Sequence, residues 1–540
     1  MNKIKRTAAR RTGTATRAAL ATRPTLATTK LIAIAAAVSL AGGMAAGAGT
    51  AYAVRRSVNS SSANSITMNA PGGMGGGADT MSYDYSGSYT AALTADGKEV
   101  TSSSDTTTAT DADQNAALAQ NGGTLTIENA TLTKSGDSDN ADNNNFYGTN
   151  SISLTVGDGS KTVISGSKLT ASSSGSNGVF ATDSGTALVY DTTISTTSDN
   201  SRALDATYSG TILAGKVTAD TQGDHSATVA TDRGGGNVSV TDSELSTAGS
   251  GSPLLYSTGD VQVNNVTGTA SGSQIAGMEG YNTILISNST LESTNTGKTG
   301  SDPIANGVII YQSTSGDAES ATGEHATFQA KDSTLKSAIE SGSMFYFTNT
   351  TADVVLSNTT LDFDTSKATL INASGNDANN WGSAGSNGAT VTFTGRDQTL
   401  EGDVTADTIS SVDLYLLEGS TWTGAASITE NSSAANGSTS DAPITVNVDG
   451  TSTWVVTKDT TISALNVASG GKIVDEDGKT VTIVANGKTV VSGDSDITVT
   501  VTGSYSTTVD ASSDTELATE TIDRSDFDSQ FGTSTSWTMA

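Results

Sequence analysis

A six-residue phrase recurs along this chain at nearly constant spacing, and it constrains the fold more than any other feature. The phrase has the form apolar-x-[Asn/Asp/Gly]-[Ser/Thr]-x-apolar and is clearest at residues 286–291. Between residues 132 and 422, most successive copies end 22 to 27 residues apart, and the longer intervals fit an insertion or an unmarked copy. Such a period in a sequence rich in strand-forming residues is typical of a β-solenoid, whose coils bury their apolar faces on one another.

The third position of the phrase predicts a bend between two short strands. All eleven copies carry Asn, Asp or Gly there, the residue types that tolerate a left-handed backbone. Stacked coils would place these residues in one column, about 4.8 Å apart, where their side chains can hydrogen-bond to one another. We expect this turn ladder to contain Asn129, Asp191, Asp242, Asn265, Asn288, Asp332, Asn358 and Asp397, with Gly166, Gly215 and Gly419 in the same column.

Composition supports a repetitive β fold. Only 35% of the 540 residues are apolar and 5% aromatic, too few for one globular core of this length, while five prolines are few for a disordered chain. We expect an all-β, right-handed parallel β-helix over residues 116–425, with coils of 22–27 residues. A flexible leader (54–115) with one or two strands, such as residues 89–93, precedes it. A smaller β module (426–510) and a loosely held polar tail (511–540) follow.

Residues 1–53 have the pattern of an export signal. Eight Lys and Arg residues precede or begin an apolar run at residues 31–49, and Ala51-Tyr52-Ala53 forms a small-x-small cleavage site. An uncleaved signal anchor is the alternative, because the run is about long enough to span a bilayer. We expect a secreted or cell-surface bacterial protein that contacts the membrane only through this segment.

Charge and cysteine content exclude several classes of partner. Without the export signal, 19 basic residues face 56 acidic ones, so the surface repels nucleic acid. The absence of cysteine excludes disulfides, thiolate metal sites and a lipobox anchor.

The phrase with its Asn/Asp column resembles the right-handed parallel β-helix of pectate lyases and of autotransporter adhesin passengers. Residues 201–208 and 370–377 are similar to segments of secreted bacterial β-helix proteins of unassigned function, and the region of Trp422 and Trp454 resembles the late part of autotransporter passengers. The resemblance covers residues 116–505. It implies three sheets along the axis, and either an adhesin or a polysaccharide-cleaving enzyme.

The sequence offers only sparse candidates for catalysis. The Asn-Thr-Asp, Asp-Asp, Gly-His-Gly and Arg-Ile-Lys segments of polygalacturonases do not occur. Arg202 with Asp205, and Asp232 with Arg233, lie about one coil apart and are the best acid–base candidates. A salt-bridge ladder between coils explains them equally simply, and we favour that interpretation.

Metal-binding signals are similarly few. Asp137, Asp139 and Asp142 belong to an acidic, Asn-rich insertion at residues 137–145, which we expect to be a flexible loop with loose Ca²⁺ binding as the alternative. His225 and His325 lie four coils apart, cannot share a site, and are expected to be exposed turn residues. No other cofactor is expected.

Our leading hypothesis is a non-enzymatic, adhesin-like protein whose β-helical rod presents polar faces to glycans or matrix. The alternatives are a polysaccharide lyase or hydrolase, and a structural surface or biofilm component. An enzyme predicts a groove with three or more convergent ionisable groups on adjacent coils. Thr-x-Thr pairs such as Thr131 and Thr133 resemble those of ice-binding solenoids, but the sequence suggests no fixed place for them on the coils. The oligomeric state is left open.

Overall fold

A computed structural model describes residues 82–138, 140–313, 318, 325–379, 381–434 and 439–540. The predicted export signal (1–53), the first part of the predicted leader (54–81) and Asp139 lie outside the described residues. Among the residues described, no helix combines the length and the apolar character needed to cross a membrane.

The chain winds into a right-handed parallel β-helix, which confirms the predicted fold class. Each of the first ten coils contributes one strand to each of three long sheets, and each strand pairs in parallel with the equivalent strands of the adjacent coils. Right-handed crossover is the rule for parallel strands of one sheet, because it suits the twist of the strands.

The three long sheets, here called sheets 1, 2 and 3, contain 13, 15 and 10 strands. Sheet 1 consists of Thr90–Asp96, Gln114–Gln120, Ser153–Val156, Val179–Thr182, Leu204–Ala206, Val229–Thr231, Leu255–Ser257, Ala276–Glu279, Asn306–Tyr311, Ser343–Thr348, Thr369–Ala373, Val404–Asp407 and Ala426–Thr429. Sheet 2 consists of Glu99–Ser103, Thr124–Glu128, Lys161–Ser165, Thr186–Tyr190, Gly210–Gly215, Gly236–Thr241, Asp260–Asn264, Thr283–Ser287, Ala326–Lys331, Thr350–Ser357, Ala389–Arg396, Ser411–Leu417, Ile444–Val448, Ala464–Val467 and Tyr505–Ser506. Sheet 3 consists of Thr106–Ala109, Thr131–Lys134, Lys168–Ala171, Thr193–Thr196, Thr218–Thr221, Glu244–Thr247, Thr267–Ala270, Thr290–Ser293, Thr334–Ser337 and Thr360–Asp362.

Two smaller sheets and three short helices complete the described structure. One four-stranded sheet holds Thr399–Glu401, Thr421–Gly424, Thr453–Val456 and Lys472–Val474, and the other holds Thr460–Ile462, Thr482–Ala485, Lys488–Val491 and Thr498–Val501. Helix α1 is Ala141–Tyr147, a 3₁₀ turn is Ser513–Thr515, and helix α2 is Ser525–Phe531.

Inward side chains form one continuous core along the coils, because equivalent positions stack in register. The column through Ile164, Val189 and Ala214 illustrates this, and all three residues are fully buried. Near the C-terminal end, Trp422 stacks on Trp454 in the same way within the first four-stranded sheet, with ring centroids 4.7 Å apart. Each coil thus covers the apolar face of its neighbour, which is why a chain with few large side chains can fold.

The bends adopt the left-handed conformation that the phrase indicates. The eight residues of the expected turn ladder have φ between +44° and +55°. Asn265 Nδ2 donates to Asp242 Oδ1 at 2.6 Å, and Asn358 Nδ2 donates to Asp332 Oδ1 at 2.6 Å, so part of the column is linked through its side chains.

Two members of the predicted column are displaced by one residue. Lys216, with φ +52°, occupies the bend that the sequence assigned to Gly215, because Ala214 and not Leu213 points inward in that coil. In the last copy Glu418 has φ +59° and Gly419 has φ +86°, so the bend covers both residues.

The ends of the solenoid also differ from the expectation. Thr90–Asp96 pairs in parallel with Gln114–Gln120, so regular coils begin well before residue 116. At the other end, sheet 2 continues through Ile444–Val448 and Ala464–Val467, and an antiparallel hairpin of Thr482–Ala485 and Lys488–Val491 adjoins the last coils.

The C-terminal tail is not loosely held. Residues 510–531, here called the strap, run back along the outer face of sheet 2 from Tyr415 towards Val163. The Gln329 and Gln262 side chains accept hydrogen bonds from the strap backbone, each at 2.8 Å. The acidic, Ser/Thr-rich composition of the tail concealed these anchors, because their partners lie hundreds of residues earlier in the chain.

Candidate functional site

The outer face of sheet 1 carries the described charges that are most deeply buried together. Leu118, Leu154 and Phe180 occupy its outward column in the first coils, and Asp205 takes the same position in the next coil. We call Arg202, Asp205, Asp232, Arg233 and Glu279 the charged cluster.

Arg202 is the centre of the charged cluster. Its Nη2 donates to Asp232 Oδ2 at 2.8 Å, and its Nη1 lies 3.5 Å from Asp205 Oδ2. Nη1 also donates to Asn145 Oδ1 at 3.1 Å. One guanidinium therefore neutralises carboxylates from two successive coils, and the sequence candidates Arg202, Asp205 and Asp232 do come together.

Helix α1 covers this centre. The Asn140 side chain accepts the Asn143 N–H and starts the helix, and Gly148 ends it with φ +68°. Phe146 is buried beneath the helix, and the Arg233 guanidinium carbon lies 3.7 Å from the centre of its ring. Residues 141–145 of the insertion that was predicted to be a flexible loop thus belong to a helix that covers the charged cluster, which their polar composition did not indicate.

Glu279 extends the charged cluster and was missed by the sequence analysis. Tyr256 and Tyr311 donate from their hydroxyl groups to Glu279 Oε2 at 3.0 and 3.2 Å, and the Ser313 hydroxyl donates to Oε1. The sequence contains one indication of this contact: Glu279 ends a strand, and Tyr311 has the same position in the next coil. This pairing cannot be recognised until the register of the two strands is known.

Burial shifts the protonation of these carboxyl groups. It raises the pKa of Asp205 to about 7, against the opposing effect of Arg202. Burial likewise raises the pKa of Asp232 and of Glu279. Asp205 can therefore exchange a proton near neutrality, which is a property that general acids and bases need.

The charged cluster is nevertheless closed to solvent. Asp205 and Glu279 are fully buried, and Arg202, Asp232 and Arg233 are 8%, 6% and 9% exposed. Tyr147 of α1 stacks on Tyr208 at 5.5 Å and on Tyr85 at 5.1 Å, which extends the cover towards the N-terminus. Three or more ionisable groups from adjacent coils do converge, as expected of an enzyme. They are, however, covered by other parts of the chain and do not line an open groove.

Near the same face, Asp302 provides a test of how such buried acids affect stability. It is 8% exposed, accepts a hydrogen bond from Asn306 Nδ2 at 2.8 Å, and burial raises its pKa to about 7. Between its unfolded pKa of about 4 and this value, only the folded state holds the proton, so stability falls as pH rises across that window. Asp302→Asn stays neutral, so its free energy of unfolding at pH 8 should exceed that of the wild type by about 1.4 kcal/mol per unit of the pKa rise.

Denaturant unfolding at pH 5 and pH 8 measures this effect. The gain from Asp302→Asn should shrink towards pH 4. The exposed Asp158→Asn should change stability by less than about 0.5 kcal/mol at either pH. An equal effect of Asp302→Asn at both pH values would contradict the assignment.

The two described residues among the three Ca²⁺ candidates, Asp137 and Asp142, do not share a binding site. Asp137 Oδ1 accepts the Ser174 N–H at 2.9 Å, while Asp142 is exposed in the first turn of α1. Asp139 lies outside the described residues.

Sheet 3 presents a different kind of surface. In its strands, buried inward residues alternate with outward residues that are exposed or half-exposed. Thr occupies eight of ten positions in the first outward column, which consists of Thr106, Thr131, Lys168, Thr193, Thr218, Glu244, Thr267, Thr290, Thr334 and Thr360. The second column holds Thr108, Thr133, Thr170, Ser195, Asp220, Ser246, Thr269, Glu292, Lys336 and Asp362.

Some Thr-x-Thr pairs recur at one place on the coils, which the sequence did not suggest, whereas the pair Thr124 and Thr126 lies in sheet 2. Three complete pairs share one register of sheet 3, namely Thr106 with Thr108, Thr131 with Thr133, and Thr267 with Thr269. The pairs were hidden because insertions change the sequence distance between coils without changing their stacking. Charged residues such as Lys168 and Asp220 interrupt the columns, which disfavours a match to the uncharged lattice of ice.

Comparisons with known proteins leave the fold and these surfaces as the only guides to function. No protein-family model, no curated protein and no solved structure matches this chain.

Proposed function

We propose that this chain is a secreted or cell-surface adhesin-like binding protein, and that the outward face of sheet 3 is its ligand-binding surface. The observation that carries the proposal is that both outward columns of sheet 3 stay open to solvent over ten strands. By contrast, α1 and its neighbours cover much of the outer face of sheet 1, and the strap covers part of that of sheet 2.

The chemistry of sheet 3 favours a glycan. Strands about 4.8 Å apart place its hydroxyl groups in a regular array about 43 Å long. Hydroxyl groups both donate and accept hydrogen bonds, which suits the hydroxyls of a sugar chain lying along the solenoid axis. The net charge of −29 disfavours acidic polysaccharides, so we infer that the ligand is a neutral glycan.

A glycan array probed with wild-type protein and matched variants tests this proposal. Thr218→Arg with Thr290→Arg places two bulky cations on sheet 3 and should lower binding at least tenfold. Thr211→Arg with Thr283→Arg is the control, because each control position lies in the same coil, seven residues earlier, on the outer face of sheet 2. Equal binding by both double variants, or no binding to any neutral glycan by the wild type, would refute the proposal.

Polysaccharide cleavage is the second candidate function, and the resemblance to pectate lyases motivates it together with one observation. Arg202, Asp205 and Asp232 converge on the outer face of sheet 1, and burial raises the pKa of Asp205 to about 7. A screen for depolymerisation of acidic and neutral polysaccharides separates the two functions. Turnover that Asp205→Asn abolishes would replace the adhesin proposal with an enzyme.

A further inference from the structure

The strap meets the solenoid at a group of potential metal ligands. His325 precedes the strand Ala326–Lys331 of sheet 2, Asp353 lies in the next strand of that sheet, and Asp514 lies in the 3₁₀ turn of the strap. One ligand atom from each of these three residues lies within 4.8 Å of the other two. The three come from parts of the chain that only the docked strap brings together.

Asp353 is the ligand that most needs a further partner. Its Oδ2 lies 2.7 Å from His325 Nδ1, but its Oδ1 has no hydrogen-bond partner among the described residues, although the residue is only 9% exposed. A buried carboxylate oxygen without a partner is costly. Asp514 places a second carboxylate beside it. A cation at this position would supply the partner for Oδ1 and offset the repulsion.

The strap holds Asp514 in place from its C-terminal side. Arg396 Nε donates to the Thr515 carbonyl oxygen at 2.6 Å, and Thr515 is fully buried. Gln329 Nε2 donates to the Glu516 carbonyl oxygen at 3.0 Å. These bonds fix the backbone next to Asp514. The segment therefore loses little conformational entropy when the Asp514 carboxylate binds a cation.

We propose that His325, Asp353 and Asp514 bind one Zn²⁺-like divalent cation that fastens the strap to sheet 2. An imidazole with two carboxylates suits Zn²⁺, with bonds of about 2.0–2.2 Å and a water molecule in the fourth position. Ca²⁺ prefers six to eight oxygen ligands and is a poor match to this set. This inference is independent of the glycan proposal.

Titration of metal-free protein with ZnCl₂ tests the proposal. We expect one Zn²⁺ per chain by calorimetry, with binding lost in His325→Asn and in Asp514→Asn. His225→Asn is the matched control, because His225 is the other histidine of the chain and lies on a distant coil. CaCl₂ at the same concentration should bind at least tenfold more weakly.

Hydrogen exchange of the strap provides the second readout. Zn²⁺ should slow amide exchange at residues 510–518 at least threefold in the wild type and in His225→Asn, and should leave exchange unchanged in His325→Asn. Zn²⁺ binding that survives His325→Asn, or that is lost equally in His225→Asn, would overturn the proposal. Binding without any change in strap exchange would also overturn it, because Asp514 would then not be a ligand.

Discussion

Arg202→Met is expected to lower the free energy of unfolding by about 3–5 kcal/mol at pH 8, because it leaves the buried carboxylates of Asp205 and Asp232 without their shared cation. The loss should be smaller at pH 5, since burial raises the pKa of Asp205 to about 7 and that carboxyl group therefore holds a proton there. Denaturant unfolding at the two pH values measures both the loss and its pH dependence.

Two further variants make this result specific to the buried charges. Lys168→Met removes an exposed cation of sheet 3 and should change stability by less than about 0.5 kcal/mol. Adding Asp205→Asn and Asp232→Asn to Arg202→Met should restore much of the loss at pH 8, because the two carboxylates that Arg202 neutralised are then replaced by neutral amides. A loss that is the same at pH 5 and pH 8 would show that packing, not charge, is responsible.

Arg524→Ala is expected to detach the middle of the strap without unfolding the coils. Arg524 is 1% exposed, and its guanidinium donates to the Ser239 and Ala214 carbonyl oxygens at 2.8 and 2.9 Å. It also lies 4.5 Å from the ring centre of Phe527, which packs on Val163 and Leu188. Hydrogen bonds from a charged group contribute about 1.5–3 kcal/mol each, so strap docking should weaken by at least about 3 kcal/mol.

Hydrogen exchange and limited proteolysis distinguish local release from global unfolding. Amides at residues 518–531 should lose protection in Arg524→Ala, while amides of sheet 2 keep most of theirs. The exposed Glu520→Gln lies on the same segment and should behave as the wild type. Unchanged protection of the strap in Arg524→Ala would mean that Phe527 alone holds it.

The bends were predictable because they depend on local sterics. A left-handed residue must be one that tolerates positive φ, so Asn129 and Asn288 could be assigned from the phrase alone. Lys216 was missed because its conformation is imposed from outside. Pairing with the coils that contain Asp191 and Asp242 fixes the register, and the lysine adopts the bend at that position.

The first coil was missed for a related reason. Its inward residues include Ala95, Ser102 and Ala109, which are all small. They resemble the low-complexity residues before them, and only pairing with the following coil identifies them as part of the solenoid. Small inward side chains fit there because the neighbouring coil supplies larger ones, such as Leu125 and Leu132.

The sequence by itself determined a right-handed parallel β-helix with a bend at the same place on most coils, because period, alternation and bend chemistry all act within a few neighbouring residues. Only the tertiary structure decided which outer faces are covered. The meeting of Arg202 with Asp232, the cover by α1 and the burial of Arg524 against Ser239 all join residues from different coils or from opposite parts of the chain. Such contacts depend on strand register and on where insertions and the tail pack, and neither is encoded in the spacing of the repeat.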